Sequence, residues 1–285
     1  MIRIGIYGAE NSHAMAFSRI FNGDDPRYAD LRVVAVGGEE EEASRKVMQE
    51  CGVDMYVKKP QEMLGHVDAV MITSRDGALH AGYARPFIEN GIPAFIDKPF
   101  TRNVQQALEL IALCKENGVR VMGGSSVKLV ADTLTLEAVA KDPGNGRRIG
   151  GSVWAPVNMH NPYGDFWFYA SHLVEICLRL FGMPEKVQSY RNGDDVTCIA
   201  RYADCDVSLH FTQGAAFYGA TVLMEKTAAT RAIDISDCYA LEAEEFAQLV
   251  RGAQMPETYE RLVAPVRFMD AIVRSLESGE TEEIQ

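Results

Sequence analysis

Short apolar runs alternate with amphipathic stretches over the first 124 residues. The apolar runs are rich in β-branched residues, which is typical of buried strands, and the stretches between them place apolar residues at i, i+3 and i+4, which is typical of helices. The predicted strands are Arg3–Tyr7, Arg32–Val36, Ala69–Thr73, Ala94–Ile96 and Arg120–Met122. The predicted helices are Ser12–Asn22, Glu41–Cys51, Ala78–Asn90 and Val104–Asn117. This alternation predicts βαβ units and a doubly wound parallel sheet.

The pattern changes after residue 124, where runs of alternating apolar and polar residues predict a mostly antiparallel sheet. Its predicted strands are Gly151–Val157, Val187–Arg191, Val196–Tyr202, Asp206–Thr212 and Gly219–Met224. Helices are predicted at Leu129–Lys141, Phe166–Phe181, Glu242–Arg251 and Tyr259–Ser278. We therefore expect an α/β protein with two domains. Residues 1–124 would form the doubly wound domain, and residues 125–285 an α+β domain that serves the substrate and oligomerisation.

Composition narrows the class of protein. With 285 residues, 47% of them hydrophobic, the chain can bury two cores without disulfides or metals. A net charge of −12 argues against a nucleic-acid partner, since phosphate binding draws on clustered Lys and Arg. The six cysteines show no C-x-x-C spacing, which favours reduced thiols over a metal or redox site. Neither a secretory signal nor an apolar run long enough to span a membrane is visible, so we predict a cytoplasmic protein that uses no membrane.

The turn after the first predicted strand stands where dinucleotide-binding proteins place G-x-G-x-x-G. Gly8 keeps the first glycine, whereas Glu10 and His13 replace the second and third. Asn11 or Ser12 would cap the following helix, whose first amide groups offer an anion site. These five residues are candidate cofactor ligands of an altered dinucleotide turn, or else they form a plain strand-to-helix turn. Glu10 would repel a phosphate, so the sequence predicts that Glu10→Gly strengthens dinucleotide binding.

An acid after the second strand commonly binds the hydroxyls of the adenosine ribose. The equivalent position here is Gly38, and the nearest carboxylate belongs to Glu39, the first residue of the acidic run 39–42. Four acids disfavour the additional 2′-phosphate of NADP, so we predict NAD as the cofactor. The same acids would equally well complement the dipole of the helix that they begin.

The segments 68–80 and 91–100 together resemble the glucose-fructose oxidoreductase and inositol dehydrogenase family, Gfo/Idh/MocA. That family carries a Thr-Pro-like strand end, a histidine a few residues later, and Glu-Lys-Pro after the next strand. Thr73, Ser74 and His80 match the first two features, and Asp97-Lys98-Pro99 resembles the third with Asp in place of Glu. The resemblance implies a Rossmann fold, cofactor contacts from Thr73, Ser74, His80, Asp97 and Lys98, and a catalytic role for Lys98.

A second match begins at His172 and runs to Gly182, similar to the family helix with His-x-x-Asp and a closing Leu-x-Gly. It implies that His172 is the active-site histidine, with Glu175 in the following acidic position. The family often has an acid one helical turn before that histidine, but Phe168 stands there in this chain. Packing of His172 among aromatic residues is the structural alternative.

The resemblance therefore implies an NAD-dependent oxidoreductase that acts on a sugar, polyol or related hydroxy compound between its two domains, as a homodimer or homotetramer. The departures at Glu10 and Phe168 keep open a non-catalytic, ligand-binding or regulatory relative of the same fold. A non-redox reaction is a third possibility, since fold does not fix function. Weaker candidates for the substrate site are His160, Trp154 and Trp167.

Overall fold

The chain divides into two units in a computed structural model that describes all residues from 1 to 285. The first unit comprises Met1–Gly124 and Tyr239–Leu262, and the second comprises Ser125–Cys238 and Val263–Gln285. The first boundary falls where the hydrophobic pattern changes. Residues 239–262, which the pattern assigned to the second domain, pack with the first unit instead.

A six-stranded parallel sheet forms the centre of the first unit, in the order β3-β2-β1-β4-β5-β6. Its strands are β1 (Ile2–Tyr7), β2 (Leu31–Gly37), β3 (Met55–Val57), β4 (Ala69–Ile72), β5 (Ala94–Ile96) and β6 (Val121–Gly123). The helices between them are α1 (Ser12–Phe21), α2 (Glu41–Cys51), α3 (Gly77–Glu89) and α4 (Val104–Asn117). This strand order is that of a dinucleotide-binding sheet, whose ligand crevice lies at the carboxyl ends of β1 and β4, where the order reverses.

A seven-stranded sheet forms the second unit, in the order β12-β11-β7-β10-β9-β8-β13. Its strands are β7 (Arg148–Val157), β8 (Lys186–Asn192), β9 (Asp195–Arg201), β10 (Asp206–Gln213), β11 (Tyr218–Met224), β12 (Ala228–Ile233) and β13 (Glu282–Glu283). All neighbouring strands are antiparallel except β7 and β10. The remaining helices of the chain are α5 (Ala131–Lys141), α6 (Phe166–Phe181), α7 (Cys238–Val250) and α8 (Tyr259–Ser278).

Aromatic packing explains why α7 joins the first unit. Phe246 is fully buried, with its ring centroid 6.1 Å from that of Phe21 on α1 and 6.4 Å from that of Phe95 on β5. Phe17 of α1 completes the group, with its centroid 5.6 Å from that of Phe95. Burying each phenylalanine contributes on the order of 2 kcal/mol. This gain exceeds the additional loop-closure entropy of bringing α7 back to the first unit from a distant part of the chain.

The predicted fold class is confirmed, because both the parallel sheet and the mostly antiparallel sheet are present. Three strands that the pattern did not predict are β3, β12 and β13. β3 has only three residues, and β12 is an edge strand whose side chains are largely exposed, so neither produces a clear alternation of apolar and polar residues.

The cysteines are all free thiols, and Cys114, Cys177 and Cys198 are buried. Burial raises the pKa of Cys114 and Cys198 to about 12, which keeps both as unreactive thiols at neutral pH. None of the helices combines the length and the apolar character that crossing a membrane requires.

Candidate functional site

The turn after β1 is tied to the ends of the two neighbouring strands. Gly8 N and Ala9 N both donate to the Gly37 carbonyl, at 2.9 and 3.0 Å, and Thr73 Oγ1 donates to the Gly8 carbonyl at 3.1 Å. Gly8 has φ +123°, and a Cβ atom there would lie 2.0 Å from the backbone nitrogen of Ser74. Only glycine fits this turn, so two strand ends approach each other backbone to backbone at the mouth of the crevice.

We expect Gly8→Ala to lower the melting temperature of the protein by roughly 10 °C, from about 3 kcal/mol of overpacking and backbone strain. Gly52→Ala is the matched control, because Gly52 also has positive φ but nothing lies within 4 Å of its added Cβ. It isolates the cost of the backbone conformation, about 1 kcal/mol. Equal losses in the two variants, measured by thermal denaturation, would contradict the close packing described for Gly8.

The amino end of α1 has no side-chain cap, contrary to the prediction for Asn11 and Ser12. Asn11 Nδ2 donates instead to Asp97 Oδ2 at 3.0 Å, and Ser12 Oγ lies 3.1 Å from Tyr239 Oη. Both side chains are drawn away from the first turn of the helix by these partners. The first-turn amide groups of α1 therefore have no side-chain acceptor, which suits an anion at this end of the helix.

Asp97 is the centre of a buried polar group directly after β5. The side chain is 1% exposed, and its Oδ2 atom lies 3.0 Å from Nδ1 of His13, which is the residue at the third position of the glycine motif. Lys98 N donates to Asp97 Oδ1 at 2.6 Å. Burial alone would raise the pKa of Asp97, but the charges of His13, Lys98 and His80 outweigh it and hold the pKa at about 2. Asp97 is therefore a carboxylate at neutral pH, and Asn11, His13 and Asp97, here called the Asp97 cluster, link α1 to the end of β5.

Lys98 is buried beside two carboxylates. It is 5% exposed, and burial lowers the pKa of its ammonium group, whereas Asp97 and Glu242 act in the opposite direction. Glu242 is 3% exposed and comes from α7. Glu242 is not among the functional residues that the sequence predicts. Helical spacing could have indicated it, because it places Glu242 on the same buried face as Phe246 and Leu249. A carboxylate is seldom buried on such a face without a partner.

His80 and Ser74 lie at the end of β4, next to the glycine turn. The His80 ring is fully buried, and its two nitrogens each lie 2.8 Å from a carbonyl oxygen, those of Ser74 and Pro99. Burial lowers the pKa of His80. The ring thus lies between the chain after β4 and the chain after β5, and in its neutral form one of its nitrogens can donate to a carbonyl oxygen there. Ser74 Oγ, in contrast, is buried and makes no hydrogen bond within the protein.

Two acids occupy the carboxyl end of β2. Glu10 is 7% exposed, and its Oε2 atom accepts a hydrogen bond from Glu39 N at 3.3 Å. The Glu39 carboxylate accepts a hydrogen bond from Tyr83 Oη. Glu39, Tyr83, Tyr7, Lys58 and Lys59 are among the residues that line an adjacent cavity of about 550 Å³. This cavity is therefore lined by both acidic and basic side chains.

In the second unit, the half-buried His172 on α6 is joined to a group of buried polar side chains. Its Nδ1 atom lies 2.6 Å from Ser125 Oγ, and Ser125 N donates to Glu175 Oε1 at 3.2 Å. Lys128 Nζ lies 3.5 Å from Glu175 Oε2, and both side chains are at most 5% exposed. Ser125 and Lys128 were not selected as functional residues from the sequence. The sequence could have indicated Lys128, because it lies between two apolar residues. A lysine in such a place is buried only when an acidic partner is present.

Phe168, one turn before His172, packs among aromatic rings. Its ring centroid lies 5.5 Å from that of Tyr163 and 4.9 Å from that of Tyr169. The carboxylate that the family resemblance places here is therefore replaced by apolar packing. Of the weaker candidates, His160 is exposed and pairs with Asp194 at 2.9 Å, and the Trp154 ring packs against Gly219, where an added Cβ would lie 2.4 Å away.

Comparison with known proteins identifies the first unit. Residues 2–125 match the family model described as an oxidoreductase family with an NAD-binding Rossmann fold. No curated protein matches the sequence closely enough to count as a relative.

Solved structures with the same fold cover almost the whole chain. A scyllo-inositol dehydrogenase from Lactobacillus casei, solved with NAD(H) and scyllo-inositol, is 12% identical with a TM-score of 0.87, over 100% of this chain and 99% of that one. A myo-inositol dehydrogenase from Corynebacterium glutamicum is 14% identical with a TM-score of 0.84, over 100% and 99%. An oxidoreductase from Agrobacterium radiobacter, in complex with NAD+, L-tartaric acid and magnesium, is 12% identical with a TM-score of 0.79, over 99% and 98%. At these identities the likeness establishes the fold alone.

Proposed function

Because residues 2–125 belong to the GFO_IDH_MocA family of oxidoreductases, we propose that this chain is an NAD-dependent dehydrogenase of a sugar, polyol or related hydroxy compound. The observation that carries the proposal is the environment of Lys98. A buried lysine is costly, and this one, whose pKa Asp97 and Glu242 raise against the effect of burial, lies after β5, at the sheet edge where ligands of such folds bind. Inositol and tartrate in structures of the same fold support hydroxylated substrates as the class.

The residues at the glycine turn fit a dinucleotide. Gly8 provides the close backbone approach, the first turn of α1 has no side-chain cap, and Ser74 Oγ is a buried hydroxyl without a partner in the protein. The pyrophosphate would lie at the amino end of α1, where the amide groups and the helix dipole favour an anion. Bound NAD+ supplies the hydride acceptor for alcohol oxidation.

Lys98 is the proposed group for the reacting hydroxyl in the first unit. Its ammonium form would donate a hydrogen bond to the oxygen as negative charge develops there. Burial lowers the pKa of the Lys98 ammonium group, which favours the neutral amine. The neutral amine could accept the proton of the substrate hydroxyl. Asp97 holds the adjoining backbone through Lys98 N, so the residue is positioned by a carboxylate that stays ionised.

His172 is the proposed proton carrier in the second unit. The Ser125 hydroxyl, 2.6 Å from Nδ1, would hold the ring in place, and because a hydroxyl can donate or accept it fits either tautomer of His172. Glu175 in turn accepts a hydrogen bond from the backbone N–H of Ser125 and pairs with Lys128. This hydrogen bond between Ser125 and His172 would orient the ring although position 168 carries no acid.

We expect His172→Ala to lower turnover by roughly a hundredfold, the usual scale for the loss of an acid-base group. The melting temperature should change little. If His172 is a packing residue, the opposite pattern is expected, with a lower melting temperature and activity lost only in proportion to unfolded protein. Steady-state kinetics and thermal denaturation of the same preparation distinguish the two, and a stable, fully active variant would end the catalytic assignment.

A ligand-binding relative without turnover is the second candidate function. The observation in its favour is Phe168, which packs among tyrosines where the family resemblance places an acid. Such a protein would keep the fold and bind a hydroxylated compound but would transfer no hydride.

Assembly and location belong to the same proposal. We place the protein in the cytoplasm, in keeping with its free cysteines, as a homodimer or homotetramer. Large apolar side chains are exposed on or beside the second-unit sheet, as expected for an interface, namely Ile149, Leu223, Tyr190 and Phe217. Light scattering on the purified protein would test this, and a monomeric mass would contradict it.

The enzyme proposal is tested by incubating the purified protein with NAD+ and a panel of myo-inositol, scyllo-inositol, L-tartrate and simple sugars while following NADH formation. Reduction of NAD+ with at least one compound is the expected result. Binding of a panel compound in calorimetry without any NADH formation would favour the ligand-binding alternative.

A further inference from the structure

The space above Gly38 is occupied by the side chain of Glu10. Gly38 directly follows β2, and a Cβ atom added there would lie 2.4 Å from Glu10 Oε2 and 2.7 Å from Ala9 N. Both distances are far below van der Waals contact. A side chain at position 38 and the carboxylate of Glu10 therefore cannot be present together in this arrangement.

Glu10 is held in this place by the backbone. Its carboxylate accepts hydrogen bonds from the backbone N–H groups of Glu39, at 3.3 Å, and Arg75. Burial raises its pKa, and the nearby Glu39 carboxylate acts in the same direction. An acid that is 7% exposed and next to a second acid is unfavourable for stability, so a binding function is the better explanation for it.

The position of this carboxylate coincides with a known requirement of dinucleotide folds. An acid after the second strand of such a sheet accepts hydrogen bonds from the ribose hydroxyls of the adenosine half. Position 38 is where that acid belongs, and it is glycine here. Glycine-rich turns, for their part, normally have glycine at the position that Glu10 occupies. The two residue types are thus exchanged between positions 10 and 38.

We propose that Glu10 is the ribose-binding acid of this protein, supplied from the glycine turn, and that Gly38 is its necessary counterpart. This inference rests on the proposed binding of NAD. It changes the expected effect of Glu10: the sequence alone predicts that Glu10→Gly strengthens dinucleotide binding, whereas the orientation of the carboxylate toward Gly38 predicts the reverse. The same carboxylate would repel the 2′-phosphate of NADP and so determine cofactor specificity.

The test is a set of reciprocal substitutions, with the dissociation constants of NADH and NADPH measured by nicotinamide fluorescence. Glu10→Gly and Glu10→Gln should each weaken NADH binding by roughly tenfold or more, which is the scale of a lost hydrogen bond to a charged group. Both substitutions should also reduce the ratio of NADH affinity to NADPH affinity. Glu89→Gln is the matched control, because it removes an exposed acid outside the run 39–42 that pairs with Arg85, and it should leave both affinities unchanged.

The double variant Glu10→Gly/Gly38→Asp is the decisive member of the set. It returns the acid to the end of β2 and removes the contact with Glu10 Oε2, although the new Cβ still requires a small shift of the turn at Ala9 N, so NADH affinity should recover part of what Glu10→Gly loses. Gly38→Asp alone should bind NADH more weakly than the double variant, because two carboxylates then compete for one space. Thermal denaturation of all variants without nucleotide shows which remain folded, and affinities are compared among those.

Two results would overturn the inference while leaving the proposed function intact. One is NADH binding by wild-type protein that Glu10→Gln leaves unchanged or strengthens. The other is a folded double variant that binds NADH no better than Glu10→Gly. If wild-type protein binds neither nucleotide, the proposed function fails first, and the inference fails with it.

Discussion

Lys98→Met should lower turnover by roughly a hundredfold or more, because the substitution keeps the length of the side chain but removes the group proposed to act on the hydroxyl. Turnover is measured with the best hydroxy compound of the substrate panel. Lys46→Met is the matched control, since Lys46 is an exposed lysine in the same unit, and it should keep full activity. A folded Lys98→Met protein with wild-type turnover would remove Lys98 from the mechanism.

A second readout is specific to the ionisation of Lys98. Glu242 raises the pKa of the Lys98 ammonium group, against the effect of burial, so Glu242→Gln should lower that pKa further. The limb of the pH profile of kcat/KM that reports Lys98 should therefore move to lower pH. A purely structural role of Glu242 would change stability without moving this limb.

Asp97→Asn should destabilise the protein by roughly 3–5 kcal/mol at neutral pH, or about 10 °C in melting temperature, because it removes a buried carboxylate that lies 3.0 Å from His13 Nδ1 and accepts hydrogen bonds from Asn11 Nδ2 and Lys98 N. Asp68→Asn is the matched control. It breaks an ion pair with Arg3 in which both side chains are 42% exposed, and such pairs contribute about 1 kcal/mol or less. Losses of equal size in the two variants would contradict the importance of the Asp97 cluster.

The pH dependence of stability gives Asp97 a further signature. Burial would raise its pKa, but His13 and the other nearby cations hold it at about 2, compared with 3.8 for an ordinary aspartate. Since the folded protein has the lower pKa, this stabilisation of roughly 2 kcal/mol is present above about pH 4 and is lost as the pH falls toward 2. The difference in unfolding free energy between wild type and Asp97→Asn, measured by denaturant unfolding, should therefore shrink by roughly 2 kcal/mol as the pH falls from about 4 toward 2.

Periodicity was enough to predict the central elements of the first unit. The parallel strands from β1 to β6 are apolar on both faces, and the helices between them have a regular apolar stripe, so most of them were visible in the sequence. The resemblance based on residues 68–100 is confirmed by the family match over residues 2–125. The roles of individual residues at the crevice stay predictions.

Contacts between distant parts of the chain were beyond the sequence. Glu242 acts on Lys98 from a helix more than a hundred residues later, and α7 packs with the first unit because of where Phe246 finds partners. Neither fact is encoded in a local period. Ser125 likewise meets His172 only because the fold brings the two together.

The direction of a side chain was also beyond the sequence. Replacing the second glycine of the motif by Glu10 indicates repulsion of a phosphate if the carboxylate points along α1. The structure turns it toward Gly38 instead, where it accepts a hydrogen bond from Glu39 N. The backbone dihedrals and the side-chain rotamer decide this direction. The presence of glutamate at position 10 therefore did not show by itself how it affects dinucleotide binding.

The central claim, that the first unit binds NAD, is tested most directly by titrating the purified wild-type protein with NADH and, separately, with NADPH while following nicotinamide fluorescence. We expect saturable binding of NADH, and weaker binding of NADPH, because the acids at the end of β2 oppose a 2′-phosphate. Lys58 and Lys59 line the same cavity, so tighter binding of NADPH would show that these lysines outweigh the acids. The absence of binding by both nucleotides would contradict the claim itself.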